Sequence, residues 1–258
     1  MSYKIVFFDI DGTLLNTDHT IPEETRRAVR QLQENGVLVA IATGRAPFHL
    51  LPVAQELGID TYVGFNGSYV VAEGRLIRET PLSRKTLADL EATAHANGHP
   101  MVFLSADTCY ANTADHPHVI ESFHSLRLAP PVCRQRYWEE ASIYQAFLYC
   151  GEQEEHNYFT RFRDDVSFVR WHRVVLDVLP PNGSKARGIE AVLRHYGLKP
   201  EDAVAFGDGL NDREMLAYVG MGVAMGNAHE QVKPLANMVT RHVNDAGIHY
   251  GLRQLGLI

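Results

Sequence analysis

The stretch KIVFFDIDGT, residues 4–13, decides the fold. Its first half, residues 4–8, is short, β-branched and aromatic, and this pattern predicts a buried β-strand. Two carboxylates, Asp9 and Asp11, follow directly. Because open parallel sheets bind ligands just outside the carboxyl ends of their strands, these acids stand where a functional site is expected. The alternative is that they only cap a turn, since Asp-Gly is a common turn dipeptide.

The first and last thirds of the chain alternate between strand and helix patterns. The predicted helices are 22–35, 47–57 and 185–196, the last with Ser184 as N-cap, and a short helix starts at Asn211, where Asn211 and Glu214 fit a capping box. The predicted strands are 37–42, 62–65, 203–206, 221–224 and 238–240. This alternation predicts an α/β fold: a Rossmann-like parallel sheet core with helices on both faces.

The middle of the chain has a different pattern. Helices are predicted near 84–97 and 152–162, and strands at 101–104, 144–150 and 173–178. The turn-forming segment 180–183 closes this region. We therefore expect an inserted α+β cap domain at residues 82–182 and a core formed by residues 1–81 and 183–258.

A hydroxyl and a glycine follow the second predicted strand, in Thr43-Gly44-Arg45. Free backbone N–H groups and the helix dipole favour a phosphate at such a strand-to-helix junction. Taken alone, the pattern fits equally well a plain threonine cap beside a flexible glycine.

Further acids follow the strand at residues 203–206, namely Asp208 and Asp212. Together with Asp9 and Asp11 they would place four carboxylates at neighbouring strand ends, where like charges repel unless a cation offsets them. Ligation by oxygen alone, with no histidine or cysteine nearby in the sequence, favours Mg²⁺ over zinc. Lys185, at the start of a predicted helix, could add one positive charge, although a solvated surface lysine is the simpler interpretation for an isolated lysine.

The net charge, the apolar runs and the cysteines of the sequence argue against several classes of function. The formal net charge is -7, so nucleic-acid binding is not expected. The apolar run from Ile5 to Phe8 is too short for an export signal or a membrane span, and we expect a cytoplasmic protein that does not act in a membrane. The three cysteines are far apart and form no C-x-x-C pair, which favours free thiols.

The ordered set of these motifs resembles the haloacid dehalogenase superfamily, and most closely its Cof-type phosphatases with a C2-type cap. The set runs D-x-D-G-T, T-G-R, a lysine at a helix start, and G-D-G-x-N-D at residues 207–212. The likeness also includes Asn66-Gly67, the stretch 225–228, and Asn244-Asp245-x-Gly247, and it spans nearly the whole chain.

The resemblance implies a mechanism and a set of site residues. Asp9 would attack phosphorus and form an aspartyl phosphate, and Asp11 would serve as general acid and base. The implied phosphoryl-holding residues are Thr43 and Lys185. The implied Mg²⁺ ligands are Asp9, Asp11 through its backbone carbonyl, and Asp208, with Asp212 close by. The implied substrate-binding residues are Gly44, Arg45, Asn66, Gly67 and Asn211, the last touching substrate or orienting Lys185.

We therefore expect a phosphatase that acts on a small phosphorylated metabolite, such as a sugar phosphate, as a monomer or homodimer. A phosphomutase or other phosphoryl transferase of the same superfamily is the nearest alternative, and release of inorganic phosphate distinguishes the two. A third hypothesis is a non-enzymatic phospho-acceptor domain, as in signalling receiver proteins. Such receiver domains do not combine an acceptor in the first strand with a second acid two residues on and a large insertion.

Overall fold

The computed structural model describes residues 3–181 and 183–258. The chain forms two compact units. The core unit comprises Met1–Glu79 and Ser184–Ile258, and the inserted unit comprises Thr80–Gly183. Each unit has its own sheet.

The core unit contains eight strands and five α-helices among its described residues. Its strands are β1 (Ile5–Phe8), β2 (Leu38–Ala42), β3 (Tyr62–Gly64), β4 (Tyr69–Ala72), β5 (Arg75–Glu79), β11 (Ala203–Gly207), β12 (Met221–Ala224) and β13 (Met238–Val239). Its helices are α1 (Glu23–Glu34), α2 (Pro47–Glu56), α6 (Lys185–Tyr196), α7 (Arg213–Tyr218) and α8 (Gly247–Gln254). The helices and strands that lie between β5 and α6 in chain order belong to the inserted unit.

The eight strands form one sheet in the order β13-β12-β11-β1-β2-β3-β4-β5. Strands β13 to β3 in this order are parallel to one another. Chain order reverses at β1, which pairs with β2 on one side and β11 on the other. Open parallel sheets bind ligands at such a switch point.

Helices pack on both faces of this sheet, as predicted. Alternate residues of β1 point to opposite faces, so Val6 and Phe8 lie in one apolar cluster and Ile5 and Phe7 in another. The first cluster receives side chains from α1, α2 and α8, and the second receives side chains from α6 and α7. The predicted fold class, an α/β parallel sheet with helices on both faces, is confirmed.

The end of the sheet departs from the sequence prediction. Strands β4 and β5 form an antiparallel hairpin that extends the parallel sheet beyond β3. Glu73 and Gly74, both with positive φ, make its two-residue turn. This hairpin was not predicted from the sequence because β5 is a partly exposed strand, Arg75–Glu79, with no continuous apolar run.

The inserted unit contains five strands and three α-helices among its described residues. Its strands are β6 (Met101–Leu104), β7 (Cys109–Ala111), β8 (Gln145–Tyr149), β9 (Ser167–His172) and β10 (Val175–Leu179). Its helices are α3 (Arg84–Ala96), α4 (Pro117–Ser125) and α5 (Glu155–Phe162). The strands form an antiparallel sheet in the order β7-β6-β8-β10-β9.

The strand predicted at residues 173–178 corresponds to β10, which begins two residues later because Arg173 and Val174 form a turn. Strand β9, which pairs with β10 across this turn, was not predicted from the sequence. Across the described ranges, no helix combines the length and the apolar character that crossing a bilayer requires. Cys109, Cys133 and Cys150 are free thiols, as predicted.

Candidate active site

The two acidic motifs meet because their strands are neighbours. Strands β1 and β11 pair in parallel with Phe8 opposite Phe206, and Asp9 N–H donates to Phe206 O at 3.0 Å. Asp9 therefore leaves the sheet beside the loop that carries Asp208. The chain order reverses at this edge of the sheet, where a ligand site is expected.

Lys185 is not a solvated surface lysine. It is the first residue of α6, its side chain is fully buried, and its Nζ lies 2.5 Å from Asp9 Oδ1 and 2.5 Å from Asp212 Oδ1. Burial alone would lower the pKa of Lys185, but the carboxylates of Asp212 and Asp9 outweigh it and the pKa lies above its ordinary value. Lys185 is therefore a fixed positive charge inside the acid cluster. Ser184 occupies the N-cap position of α6, but its side chain makes no capping hydrogen bond.

The carboxylates outnumber the positive charge available to them. Burial raises the pKa of Asp9 well above its usual range; Lys185 opposes this rise, and the charges of Asp212 and Asp208 add to it. Burial also raises the pKa of Asp208, to about 6. Asp9, Asp208 and Asp212 each place a carboxylate oxygen within 4.8 Å of the others. This oxygen-only donor set, buried at Asp9 and Asp212 and half-buried at Asp208, fits a divalent cation, which would offset the charge that Lys185 leaves uncompensated.

Asp208 is held by two side chains. Thr13 Oγ1 donates a 2.8 Å hydrogen bond to Asp208 Oδ1, and Asn227 Nδ2 lies 3.4 Å from Asp208 Oδ2. Asn227 Nδ2 also donates to Gly12 O at 2.8 Å, while Asn227 Oδ1 accepts from Val243 N at 2.9 Å. One amide thus connects three loops behind the acid cluster. No role for Asn227 was predicted from the sequence, where the available signal is a polar side chain shortly after strand β12.

Gly12 allows the two acidic loops to approach each other. Its φ is +77°, a conformation that favours glycine, and a Cβ at this position would lie 2.2 Å from Asp208 Oδ2. Any side chain at residue 12 would therefore displace the Asp208 carboxylate.

Asp11 points toward solvent and pairs with Arg45. Its side chain is 54% exposed, and the guanidinium of Arg45 binds both carboxylate oxygens, with Nε 2.9 Å from Oδ2 and Nη2 2.6 Å from Oδ1. Thr43 is buried at the end of β2, where its N–H donates to Val63 O at 2.8 Å and its Oγ1 accepts from Arg45 N at 3.1 Å. The T-G-R motif therefore adjoins the D-x-D motif.

Asn66, Gly67 and Asn211 also meet at this edge of the core unit. Asn211 Nδ2 donates to Asn66 Oδ1 at 3.0 Å, and a Cβ on Gly44 would lie 3.1 Å from Asn66 Nδ2. Gly67 has a φ of +98°, and a Cβ there would lie 2.1 Å from Ser184 O, so this glycine lets the start of α6 dock against the loop. Asn211 pairs with Asn66 and does not hydrogen-bond Lys185.

Asp212 replaces the predicted capping box. A single turn of 3₁₀ helix covers Leu210–Asp212, and α7 starts at Arg213. Asp212 Oδ2 accepts the N–H groups of Asp208 and Gly209, each at 2.8 Å, so the capping carboxylate is Asp212 and the prediction of Asn211 with Glu214 was wrong. With Oδ1 bound to Lys185, both oxygens of Asp212 are engaged by the protein.

Comparison with known proteins defines the class. A family model for haloacid dehalogenase-like hydrolases matches residues 6–252, and the chain belongs to this family. It is 44% identical over 260 residues to a Bacillus subtilis (strain 168) protein named "Putative phosphatase YkrA", covering 100% of both chains.

Two solved structures are similar over essentially the whole chain. A hypothetical protein from Geobacillus kaustophilus HTA426 is 52% identical with a TM-score of 0.97, covering 100% of both chains. BT4131, described as a sugar phosphatase of haloacid dehalogenase subclass IIB, is 30% identical with a TM-score of 0.86, covering 99% of this chain and 100% of that one. The predictions of a Cof-type phosphatase and of a phosphoric monoester hydrolase are confirmed.

Proposed function

We propose that this phosphatase hydrolyses small phosphate monoesters, such as sugar phosphates, with Mg²⁺ and through a phosphoaspartate on Asp9. The observation that carries the proposal is the convergence of Asp9, Asp208 and Asp212 around the buried Lys185. BT4131, described as a sugar phosphatase, supports the class of substrate.

In the first half-reaction, Asp9 Oδ2 attacks phosphorus, since Asp9 Oδ1 is bound to Lys185. The ester P–O bond breaks, its electron pair stays on the leaving oxygen, and Asp11 supplies the proton that releases the alcohol. In the second half-reaction, Asp11 takes a proton from water as the water oxygen attacks phosphorus. The bond between phosphorus and Asp9 then breaks, which regenerates the carboxylate and releases inorganic phosphate.

The proposed ligands of Mg²⁺ are Asp9, the backbone carbonyl of Asp11, and Asp208. When bound, the ion supplies positive charge that neutralises the phosphoryl oxygens and the Asp9 carboxylate. Asp212 is placed in its immediate surroundings, because its own oxygens bind Lys185 and the backbone N–H groups of Asp208 and Gly209.

The other site residues hold the substrate. Lys185 Nζ and Thr43 Oγ1 bind the transferring phosphoryl oxygens, where negative charge develops. This anion site is extended by the backbone N–H of Gly44, just after β2, and by the side chain of Arg45. Asn66 and Asn211, which hydrogen-bond to each other, and the adjoining Gly67 are proposed to contact the polar groups of the substrate.

The proposal is tested by measuring phosphate release and by detecting phosphorylation of Asp9. With Mg²⁺, the wild-type protein should release inorganic phosphate from a monophosphate, whereas a mutase would yield an isomer and need a bisphosphate activator. Acid quenching during turnover should give a peptide containing Asp9 that carries one added phosphoryl group in mass spectrometry. Asp9→Asn should abolish both signals while the protein still unfolds in one cooperative thermal transition, which shows that the variant is folded. Phosphate release that persists in Asp9→Asn would contradict covalent catalysis.

A chelation experiment tests the metal separately. EDTA should silence phosphate release, and added Mg²⁺ should restore it. Full activity in a protein shown by elemental analysis to be metal-free would remove Mg²⁺ from the proposal.

A further inference from the structure

The core unit has a cleft at the edge of its sheet opposite the proposed active site. The cleft has a volume of about 270 Å³ and lies at the amino ends of β2 and β3, between the segments 36–39 and 58–61. The acids of the proposed active site follow the carboxyl ends of β1 and β11, so the cleft is separate from them. Its volume is just below the range typical of clefts that hold drug-sized ligands, which suits a smaller molecule.

The backbone around this cleft carries partial negative charge. Helices that connect parallel strands run opposite to them, so the carboxyl ends of the helices gather where the strands begin. Helices α1 and α2 end at Glu34 and Glu56, just before the two lining segments, and α6 ends at Tyr196, which itself lines the cleft. Each carboxyl end of a helix carries roughly half a negative charge. Three helix ends therefore favour a cation in the cleft.

The polar side chains that line the cleft are acceptors and not cations. Among the described lining residues, Asp60 is the only carboxylate, and none is a lysine, an arginine or a histidine. Gln33 Nε2 donates to Leu57 O at 3.1 Å and to Gly58 O at 3.3 Å. Since these bonds engage both protons of the amide nitrogen, Gln33 contributes its Oε1 to the cleft as an acceptor.

A chain of hydrogen bonds links Asp60 to the aromatic ring in the lining. Thr61 Oγ1 donates to Asp60 Oδ1 at 3.2 Å and lies 3.1 Å from the hydroxyl oxygen of Tyr196. Because the single proton of Thr61 goes to Asp60, Tyr196 donates to Thr61 and its own oxygen remains an acceptor. Burial raises the pKa of Tyr196, and the charges of Glu73 and Asp60 raise it further. Both acids therefore lie close enough to make the surroundings of the phenol negative.

The remainder of the lining includes apolar side chains, such as Leu38, which is 38% exposed, and Ile59. Lys4 precedes the lining residue Ile5, but its Nζ lies 3.0 Å from Asp202 Oδ1 and is engaged there. Acceptors beside apolar surface match a ligand that joins a positively charged nitrogen to a hydrocarbon body. The ring of an aromatic residue adds to the attraction for such a cation.

We propose that this cleft binds a small primary ammonium ion with an apolar body, such as an arylalkyl amine. Asp60 and Gln33 Oε1 accept hydrogen bonds from the ammonium group, and the ring of Tyr196 packs against the cation. The apolar body lies against Leu38 and Ile59. The site is distinct from the proposed phosphatase site, and binding there requires no substrate.

The experiment titrates three probes with the same aromatic body into the full-length, ¹⁵N-labelled protein. The probes are 2-phenylethylamine, which is cationic at neutral pH, 2-phenylethanol, which is uncharged, and 3-phenylpropionate, which is anionic. Two-dimensional NMR follows the backbone amides of residues 36–39 and 58–61, and the other amide signals report whether each variant is folded. The variants are Asp60→Asn, Tyr196→Leu, and Asp18→Asn as a matched control at an exposed position between β1 and α1.

The amine should shift the amide signals of both lining segments in a saturable manner. Asp60→Asn should weaken its binding about tenfold, as expected for loss of a charge-assisted hydrogen bond. Tyr196→Leu should weaken it about threefold, in line with loss of a partly exposed cation–π contact. The alcohol and the carboxylate should bind wild-type protein at least about tenfold more weakly than the amine, since neither can donate a charged N–H to Asp60. Asp18→Asn should match wild type.

Equal affinities for the amine, the alcohol and the carboxylate would overturn the site, because the cleft would then not recognise charge. Amide shifts confined to the loops of Asp9 and Asp208 would place the amine at the acid cluster and would also overturn it. So would an Asp60→Asn variant that binds the amine as tightly as wild type, or the absence of saturation by about 10 mM amine, which is weaker than specific recognition requires.

Discussion

Lys185 and Asp212 form an ion pair with no solvent exposure, in which Lys185 Nζ lies 2.5 Å from Asp212 Oδ1. The same ammonium group lies 2.5 Å from Asp9 Oδ1. Asp212 therefore holds Lys185 at the proposed nucleophile, while its second oxygen fixes the backbone of Asp208 and Gly209. The position of the cation and the shape of the acidic loop depend on a single carboxylate.

Removing the cation should destabilise the fold as well as the chemistry. Lys185→Met leaves the carboxylates of Asp9 and Asp212 buried without a positive partner, and breaking such a pair costs about 3–5 kcal/mol. We expect the free energy of unfolding in urea to fall by an amount in this range, together with loss of phosphate release. The double variant Lys185→Met, Asp212→Asn should regain much of the stability and none of the activity. A double variant as unstable as Lys185→Met would show that charge burial is not the cause.

Asn227 should control metal affinity without contacting the substrate. Asn227 Nδ2 donates to Gly12 O and to Asp208 Oδ2. Asn227→Ala therefore frees the side chain of Asp208, a proposed metal ligand, and the loop that carries the proposed ligand Asp11. Loss of such an outer contact typically costs about 10- to 100-fold in metal affinity. Electron paramagnetic resonance of bound Mn²⁺ measures this without turnover, and Asn157→Ala, at an exposed position on α5, is the control. Unchanged Mn²⁺ binding in Asn227→Ala would rule out this role.

The sequence predicted the parts of the site that follow from local patterns. Apolar strands ending in acids at residues 9 and 208 indicate a shared edge, since parallel strands that are neighbours bring their carboxyl ends together. The contacts made by Asn227 and Arg45 could not be predicted in this way. They depend on how loops far apart in the chain pack against each other, with 215 residues separating Asn227 from Gly12.

The proximity of Trp171 and Gln145 to Asp177 could not be predicted from the sequence for a related reason. The sequence pattern predicted a strand at residues 173–178 but none at Ser167–His172, so both β9 and the turn that joins it to β10 were missed. Only that turn brings Trp171 back beside Asp177 on the same face of the sheet. A single carboxylate within an apolar strand was the available signal, and its partners are set by tertiary structure.

In addition to its proposed contact with the substrate, Arg45 should orient Asp11. Its guanidinium donates to both carboxylate oxygens of Asp11, whose side chain is about half-exposed. Arg45→Ala should lower kcat about tenfold or more, comparable to the loss of a charge-assisted, two-point contact. Arg45→Lys should recover only part of this loss, because an ammonium group cannot bind two oxygens in a fork. Steady-state kinetics check both variants against Arg27→Ala on α1, and a fully active Arg45→Lys would show that charge alone suffices.

Asp177 should make stability fall as the pH rises. Its pKa in the folded protein is raised from 3.8 to about 7 by burial, so the folded state holds a proton that the unfolded state releases at lower pH. The stabilising contribution is complete below about pH 4, is lost progressively as the pH rises toward 7, and is absent above that value. Asp177→Asn removes this titration. The difference in Tm between pH 5 and pH 8 should therefore be smaller for Asp177→Asn than for wild type. Asp89→Asn, at an exposed position on α3, is the control and should keep the wild-type difference. Asp9 and Asp208 also have raised pKa values, but they are present in all three proteins, so the comparison isolates the effect of Asp177. Equal Tm differences in Asp177→Asn and wild type would contradict a protonated carboxyl in the sheet.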